Sequence, residues 1–383
     1  MRIAFYSPLK PPDHAVPSGD RRMAGLLMRA LAAAGHEVEL ASRLRSFEGA
    51  GDVERQAAIR AAGESEATAL VARWRNTPAG TRPAVWFTYH LYHKAPDWLG
   101  PAVSDALAIP YLVAEASYAP KQATGPWAAG HAAVAAAIAH AGAVLMPIRD
   151  DAECLRALVA APERLIALAP FVDTAPYRAA RAARQRHRAR LAADLGVDDG
   201  TTLWLLTVAM MRPGDKLASY RRLGAALGRL ERPDWRLVIV GDGPARAAVR
   251  EALGALAPGR VVYAGARSPK AMPAFYAAAD VYVWPAVNEA YGMALVEAQA
   301  TGLPVVAGRV RGVPDVVRDG ESGILAPPGD DAAFAAALGR LLDDDALRAR
   351  LGVGAATAAV AHHGLEAAAA TLASALAAAG ARA

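Results

Sequence analysis

Cysteine is almost missing from this 383-residue chain: Cys154 stands alone, so no intramolecular disulfide can form and nothing ties the fold to an oxidising compartment. With no thiol-activating neighbours, Cys154 reads as a small core residue. Also absent is any run of about 18 strongly apolar residues, the length a membrane-spanning helix requires. The nearest approach, 130–146, is alanine-rich, carries His131 and His140, and reads as a buried helix followed by a strand. The N-terminal MRIAFYSPLKPPD meets Pro8 before the apolar stretch of a signal peptide develops, so a cytoplasmic location is expected. Aromatic residues are sparse at 6%.

Charge is plentiful, 42 Lys and Arg against 37 Asp and Glu for a net +5. Arginine supplies most of the positive side, which suits phosphate-bearing ligands or an anionic membrane surface. No motif supports nucleic acid. The apolar fraction of 54% with 21% charged residues excludes a disordered or membrane-embedded chain and leaves a globular enzyme or binding protein. The length fits two domains, each able to bury its own core.

Short apolar runs alternate with helical stretches from the first residue. RIAFYS is a strand, PSGD a loop, RRMAGLLMRALAAAG a helix ending at Gly35, and HEVELAS a strand of period 2. Further strands are expected at 84–90, 110–117, 143–147 and 165–170, then at 203–210, 236–243, 260–266, 280–286 and 303–308. That alternation argues for parallel sheets. Between the two series, 174–198 is polar and arginine-rich. The expected organisation is a first Rossmann-like domain at 1–173, a linker at 174–198, a second domain at 199–354 and an alanine-rich helical tail at 355–383 that returns to the first. Arg178, Arg181, Arg184, Arg186, Arg188 and Arg190 could make the linker grip a membrane of anionic lipid; a solvated helix is the plainer reading.

The most informative stretch is NEAYGMALVEAQATG at 288–302, after the strand DVYVWPA. Glu289 falls in the loop, Tyr291, Gly292, Met293 and Ala294 open a helix, and Glu297 lies about two turns on. A helix start of this kind offers amide donors and a positive dipole end to a diphosphate. The two glutamates could instead be a glycosidase pair, which needs carboxyls about 5–9.5 Å apart. Eight residues of helix span about 12 Å, which better suits two ends of one elongated ligand, Glu289 on sugar hydroxyls and Glu297 on ribose. Two solvated helix glutamates remain the unremarkable alternative. GDG at 241–243 is not a dinucleotide fingerprint, because Arg246 occupies the third glycine position; it reads as a tight packing turn.

Taken together, E-x7-E from Glu289 to Glu297, VGDGP at 240–244, AFYAAADVYVWPA at 274–286, GVPDVVRDGESGILAPPGD at 312–330 and the opening PSGD resemble glycosyltransferase family 4 over nearly the whole chain. The resemblance implies an α/β chain of GT-B fold, two Rossmann-like domains facing across a cleft. It also implies a retaining, metal-independent transfer of a hexose-type sugar from a nucleoside-diphosphate donor, with no cofactor and no metal site. A basic pair on the diphosphate would be Arg212 and Lys216, stabilising charge as the glycosidic bond breaks. Here Met210 stands where the family carries its arginine, and the role passes to Arg212. Gly265 and Arg267 resemble positions that meet the nucleobase, and Ser18 and Gly19 the loop whose backbone approaches the donor.

On the acceptor side, many members of the family carry a histidine after the strand that here reads PYLVAEAS, where this chain has Glu115. Glu115 binds a hydroxyl or serves as a buried structural carboxylate. His90 and His93 lie beyond the carboxyl end of a strand, where open α/β sheets bind ligands. Asp20 reads as a helix N-cap. The resemblance leaves the acceptor proton to the departing diphosphate, so that no protein base is required. A non-catalytic nucleotide-sugar binding protein and a GT-B-type epimerase are the competing readings, and nucleobase, sugar and acceptor stay open.

Overall fold

The apolar runs of the sequence form two parallel sheets in the computed structural model, which describes residues 1–16, 18–197 and 202–381. They fall into two compact units, Met1–Ala169 with Leu365–Ala383, and Pro170–Gly364. The first unit carries β1 (Arg2–Tyr6), β2 (Glu37–Leu40), β3 (Val85–Leu91), β4 (Tyr111–Ala116), β5 (Ala143–Met146) and β6 (Leu165–Ala167), in the order β2-β1-β3-β4-β5-β6. Its inner strands are covered on both faces, which is why they read as unbroken apolar runs: Ile3, Phe5, Val85, Phe87, Leu112 and Val144 are all fully buried. The chain leaves β1 for β2 on one side and then crosses to β3 on the other, so strand order reverses between β1 and β3.

The second unit repeats the plan with β7 (Leu203–Val208), β8 (Trp235–Val240), β9 (Val261–Gly265), β10 (Val281–Trp284), β11 (Val305–Gly308) and β12 (Gly323–Ala326), ordered β12-β11-β10-β7-β8-β9. Here the reversal lies between β7 and β10. In open α/β sheets, ligands bind beyond the carboxyl ends of the strands at such reversals. Strand β12 was not expected. It is GILA, four residues set between a turn and Pro327-Pro328, and its partner β11 supplies the ladder that its own sequence barely signals.

Of the expected linker 174–198, the described residues 174–197 are part of the second unit and do not link two domains. Helices Ala175–Ala182 and Arg184–Leu195 belong to the second unit and pack on the helix Met272–Ala278. Their arginines explain the attachment. Arg181 donates to the Thr301 and Gly302 carbonyls (2.8 and 2.6 Å). Arg184 and Arg188 donate to the Ala277 and Ala278 carbonyls (2.6 and 2.8 Å) and to Asp280 (2.6 and 2.7 Å). Cations thus sit at the carbonyl end of the helix Met272–Ala278, the end its dipole makes negative. Three of the six arginines are consumed inside the unit, and Arg178, Arg186 and Arg190 remain exposed. The expected boundary at 198/199 and the last two residues of the expected tail lie outside the described residues.

The tail also divides differently. Helix Asp345–His363 stays with the second unit, and the return begins at Leu365, whose helix Leu365–Ala378 packs on the helix Gly19–Ala33 and on β5. The two chain crossings are tied side by side: the Val172 amide donates to the His363 carbonyl (2.9 Å), and His363 Nδ1 donates to the Pro170 carbonyl (2.7 Å). Cys154 is exposed, not buried; in its helix Asp151–Arg156 the inward position goes to Leu155. The stretch 130–146 forms the helix Ala128–His140 followed by β5. No helix among the described residues is long and apolar enough to cross a membrane.

Candidate functional site

At the strand reversal of the second unit, the loop after β10 is tied to the helix Asp215–Leu227, which follows β7. Three successive loop residues make the ties. The Val287 amide donates to Ser219 Oγ (2.9 Å), Asn288 Nδ2 donates to Asp215 (2.9 Å), and Lys216 Nζ donates to Glu289 Oε2. Asp215 and Lys216 lie one helical turn before Ser219, so a single helix face receives all three. The ties hold a backbone that is costly by itself: Ala286 (φ 59°) and Asn288 (φ 50°) are left-handed, a conformation costing about 1–3 kcal/mol for a non-glycine residue.

Trp284, at the end of β10, completes the arrangement. Its indole Nε1 donates to the same Glu289 Oε2 (3.1 Å), and its ring lies 5.4 Å from Lys216 Nζ. Tyr220 fixes that ring edge-on at 5.2 Å. Nothing in the sequence singled Trp284 out, because its role arises only when the loop folds back over the strand. Gly292 (φ 67°) then starts the helix Met293–Ala300; a Cβ there would lie 2.9 Å from Leu295 Cδ1 and 3.3 Å from Glu289 Cγ. Tyr291, Gly292, Met293 and Ala294 are half-buried at this helix start, where first-turn amides have no intrahelical acceptor.

Glu297 is not a solvated helix glutamate. It is buried, and Oε2 accepts from the Tyr276 hydroxyl (2.7 Å). Burial, and then the charge of Glu297, push the Tyr276 hydroxyl well above its usual pKa, so it stays a donor. Arg212 is exposed in the loop that follows buried Met211, while Met210 is 49% exposed. The structure therefore brings Lys216 to Glu289 and leaves Arg212 in the open. Gly265 (φ 71°) accepts from the Gly241 amide (3.0 Å), and exposed Arg267 lies over the Phe275 ring at 5.6 Å. The GDG turn has a packing reason, since a Cβ on Gly241 or Gly243 would fall 1.9 or 2.4 Å from the carbonyl of Ala209 or Met211.

In the first unit the helix Gly19–Ala33 is capped by Ser18, whose side chain accepts from the Arg21 amide (3.1 Å). Asp20 is not the cap. Its carboxylate reaches His90 Nδ1 at 3.0 Å, and Glu115 lies 3.8 Å from the same atom. His90 (φ 61°) and Glu115 (φ 60°) are both left-handed. Tyr89 pairs with Ala114 and Leu91 with Ala116, so the two stand level on adjacent strands. Burial of the imidazole works against its charge, yet the hydrogen bond to Asp20 and the charges of Glu115 and Asp20 prevail and raise the His90 pKa. Asp20 is lowered, chiefly by its hydrogen bond to His90. Glu115 is raised, chiefly by burial.

His93 does not join this group and packs edge-on against Trp127 at 5.9 Å. Gly19 has nothing within 4 Å of where a Cβ would point, so packing within the chain does not demand a glycine there. Among the described residues, no three or more His, Cys, Asp or Glu side chains are grouped to hold a metal ion.

Comparison with known proteins bears on both units. Residues 204–344 match the family model for Glycosyl transferases group 1. The D-inositol 3-phosphate glycosyltransferase of Acidothermus cellulolyticus is 39% identical over 213 residues, 53% of this chain and 46% of that protein. The protein of the same name from Xylanimonas cellulosilytica is 37% identical over 232 residues, 58% of this chain and 53% of its own. The chain thus matches about half the length of these relatives. Among solved structures, Anabaena HepE in complex with UDP and glucose aligns over 98% of this chain and 99% of its own, with a TM-score of 0.70 at 16% identity. Sucrose-phosphate synthase from Thermosynechococcus elongatus aligns over 97% of each chain, with a TM-score of 0.66 at 21% identity. The fold is GT-B, and residues 204–344 of this chain are similar to the Glycosyl transferases group 1 domain.

Proposed function

We propose that this chain is a retaining glycosyltransferase that needs no metal and moves a hexose-type sugar from a nucleoside diphosphate to an acceptor hydroxyl. The observation that carries the reading is Lys216, Glu289 and Trp284 meeting at the strand reversal of the matched domain, beside the helix start Tyr291–Ala294. Lys216, the first-turn amides and Arg212 from its exposed loop stabilise the charge that grows on the departing diphosphate. Glu289 holds sugar hydroxyls. Glu297, fixed by Tyr276, receives the ribose. Because the donor must be gripped most tightly as its bond breaks, these groups act on turnover more than on ground-state affinity.

Solved neighbours in complex with UDP and UDP-glucose support UDP-glucose as the first donor to try. The name of the curated relatives supports D-inositol 3-phosphate as the first acceptor. The test is calorimetry with UDP, GDP and ADP, followed by turnover of a nucleotide-sugar panel with and without D-inositol 3-phosphate in the presence of a chelator. Binding of one nucleotide, sugar transfer insensitive to chelator, and an anomeric configuration preserved in the NMR spectrum of the product are expected. No affinity for any nucleoside diphosphate overturns the reading. A non-catalytic nucleotide-sugar binding protein draws support from exposed Met210, standing where the resemblance puts an arginine; binding without turnover across the panel would favour it.

A further inference from the structure

The second unit carries a cavity at the end of its sheet opposite Lys216 and Glu289. It lies where β10 and β11 begin, has a volume of about 380 Å³, and is walled in part by Tyr276, Leu303 and Pro304 and by the arginines Arg181, Arg184 and Arg348. Sites for small molecules span about 300–1,000 Å³, so the space is enough for a compact ligand. Every residue that lines it belongs to this one unit.

Positive charge is left over around the cavity. Asp280 is already saturated, since Oδ1 accepts from Arg184 (2.6 Å) and Oδ2 from Arg188 (2.7 Å) and the Trp204 amide (2.7 Å). Asp345, the other lining carboxylate, is 88% exposed and pairs with Arg348. Arg181 has no carboxylate partner among the described residues; its Nη1 donates to the Thr301 and Gly302 carbonyls. Four arginines thus stand against two carboxylates, and the carbonyl ends of the helices Met272–Ala278 and Met293–Ala300 add only roughly half a negative charge each. The crowding is felt at Arg184: burial lowers its pKa, and Arg188 and Arg181 add to that against the pull of Asp280.

Donors are left over as well. Among the described residues no hydrogen bond engages Nε of Arg181, Arg184 or Arg348, or Nη2 of Arg181. A guanidinium presents its N–H groups in a planar fork that matches the oxygens of a phosphate. Glycine sets the close seat of Arg181. Gly302 is left-handed (φ 68°), and a Cβ there would lie 2.0 Å from Arg181 Nη1, while a Cβ on Gly352 would lie 2.7 Å from the Gly302 carbonyl oxygen.

We propose that this cavity is an anion site that takes a phosphate group, free or carried by a small hydroxylated molecule, on Arg181, Arg184 and Arg348. Arg181 makes the strongest contact, because no carboxylate competes for it. Tyr276, Leu303 and Pro304 form the wall against which a carbon skeleton would rest. The site lies away from the helix start Tyr291–Ala294 and does not depend on the transferase reading.

The test is calorimetry of the full chain with inorganic phosphate and with β-glycerophosphate at fixed ionic strength, each with and without UDP. One saturable site is expected, unchanged by UDP and by Lys216→Ala. Tighter binding of β-glycerophosphate identifies a phosphate monoester as the ligand, and tighter or equal binding of inorganic phosphate identifies the free ion. Arg181→Gln should weaken binding about ten-fold or more, the loss of one hydrogen bond to a charged group. Arg181 also ties its helix to Thr301 and Gly302, so Ala349→Glu is the second variant. Ala349 is exposed on the cavity wall, and a carboxylate there repels the anion while leaving those ties and the melting temperature in place. No binding by the parent, binding that UDP displaces or Lys216→Ala abolishes, or binding as tight in either variant as in the parent overturns the site. Sugar transfer and nucleotide affinity, which test the transferase reading, are read separately.

Discussion

In the second unit the start of the helix after β7 meets the loop after β10 where strand order reverses, and a lysine there is set against a glutamate. In the first unit the start of the helix after β1 meets the end of β3 at the equivalent place, and there a histidine is set against an aspartate. The topology is shared and the chemistry differs. A lysine ammonium near neutral pH is a fixed charge, suited to meeting charge that develops on a leaving group, whereas an imidazole exchanges a proton in the physiological range. The supports differ too. Glu289 is held by an indole N–H and a loop stapled through side chains, while His90 is held by a second carboxylate and left-handed backbone. One sheet end sets a fixed cation against a carboxylate, the other an exchangeable one.

The largest effect that would break this contrast is on Lys216. Lys216→Ala should fold normally and lose turnover about 10²–10³-fold, the usual cost of removing one preplaced donor from developing charge; steady-state nucleotide release measures it, and full activity would remove Lys216 from the reaction. Trp284→Phe keeps the packing on Tyr220 but deletes the hydrogen bond to Glu289. A bond to a charged group contributes about 1.5–3 kcal/mol, so turnover should fall about ten-fold or more and the melting temperature by a few degrees. Ser219→Ala leaves the Val287 amide without its acceptor and should cost about 1 kcal/mol of stability, read by denaturant titration.

The smallest effect is the pH dependence that separates the two ends. His90 is raised, so its contribution to stability is complete below the ordinary imidazole value and is lost as pH rises through its folded value. Asp20 is lowered, so its contribution is present above the ordinary carboxylate value and is lost as pH falls through its folded value. The gap in melting temperature between the parent and Asp20→Asn should therefore be widest between about pH 4 and 6.5 and close on either side. A gap that ignores pH would mean the Asp20–His90 pair stores no proton-linked stability.

How far all this could be read from the sequence follows from the range of the interactions. The parallel sheets were legible because strand runs, helix stops such as Gly35 and the E-x7-E segment are local patterns. Lys216 and Glu289 were legible as types of residue that follow strands, although Lys216 lies in the first turn of a helix and not in a loop. Their partnership with Trp284 was not, since a tryptophan ending a strand looks like core until the loop returns over it. Asp20 and His90 lie 70 residues apart, and a helix-opening aspartate resembles a cap until Ser18 is seen to take that place. Arg181, Arg184 and Arg188 read as a solvated linker for the same reason: their acceptors lie about 90 to 120 residues further along the chain.

Leu365–Ala378 lies on the helix Gly19–Ala33, so the first unit is completed by residues made after the whole of the second. During synthesis, then, the earlier half of the chain must wait. Pro170–Gly364 is continuous and can close its own core as soon as it has emerged, while the apolar side of Gly19–Ala33 stays uncovered until the ribosome has passed Ala378. A chaperone, or a misplaced neighbour, has that interval in which to find it.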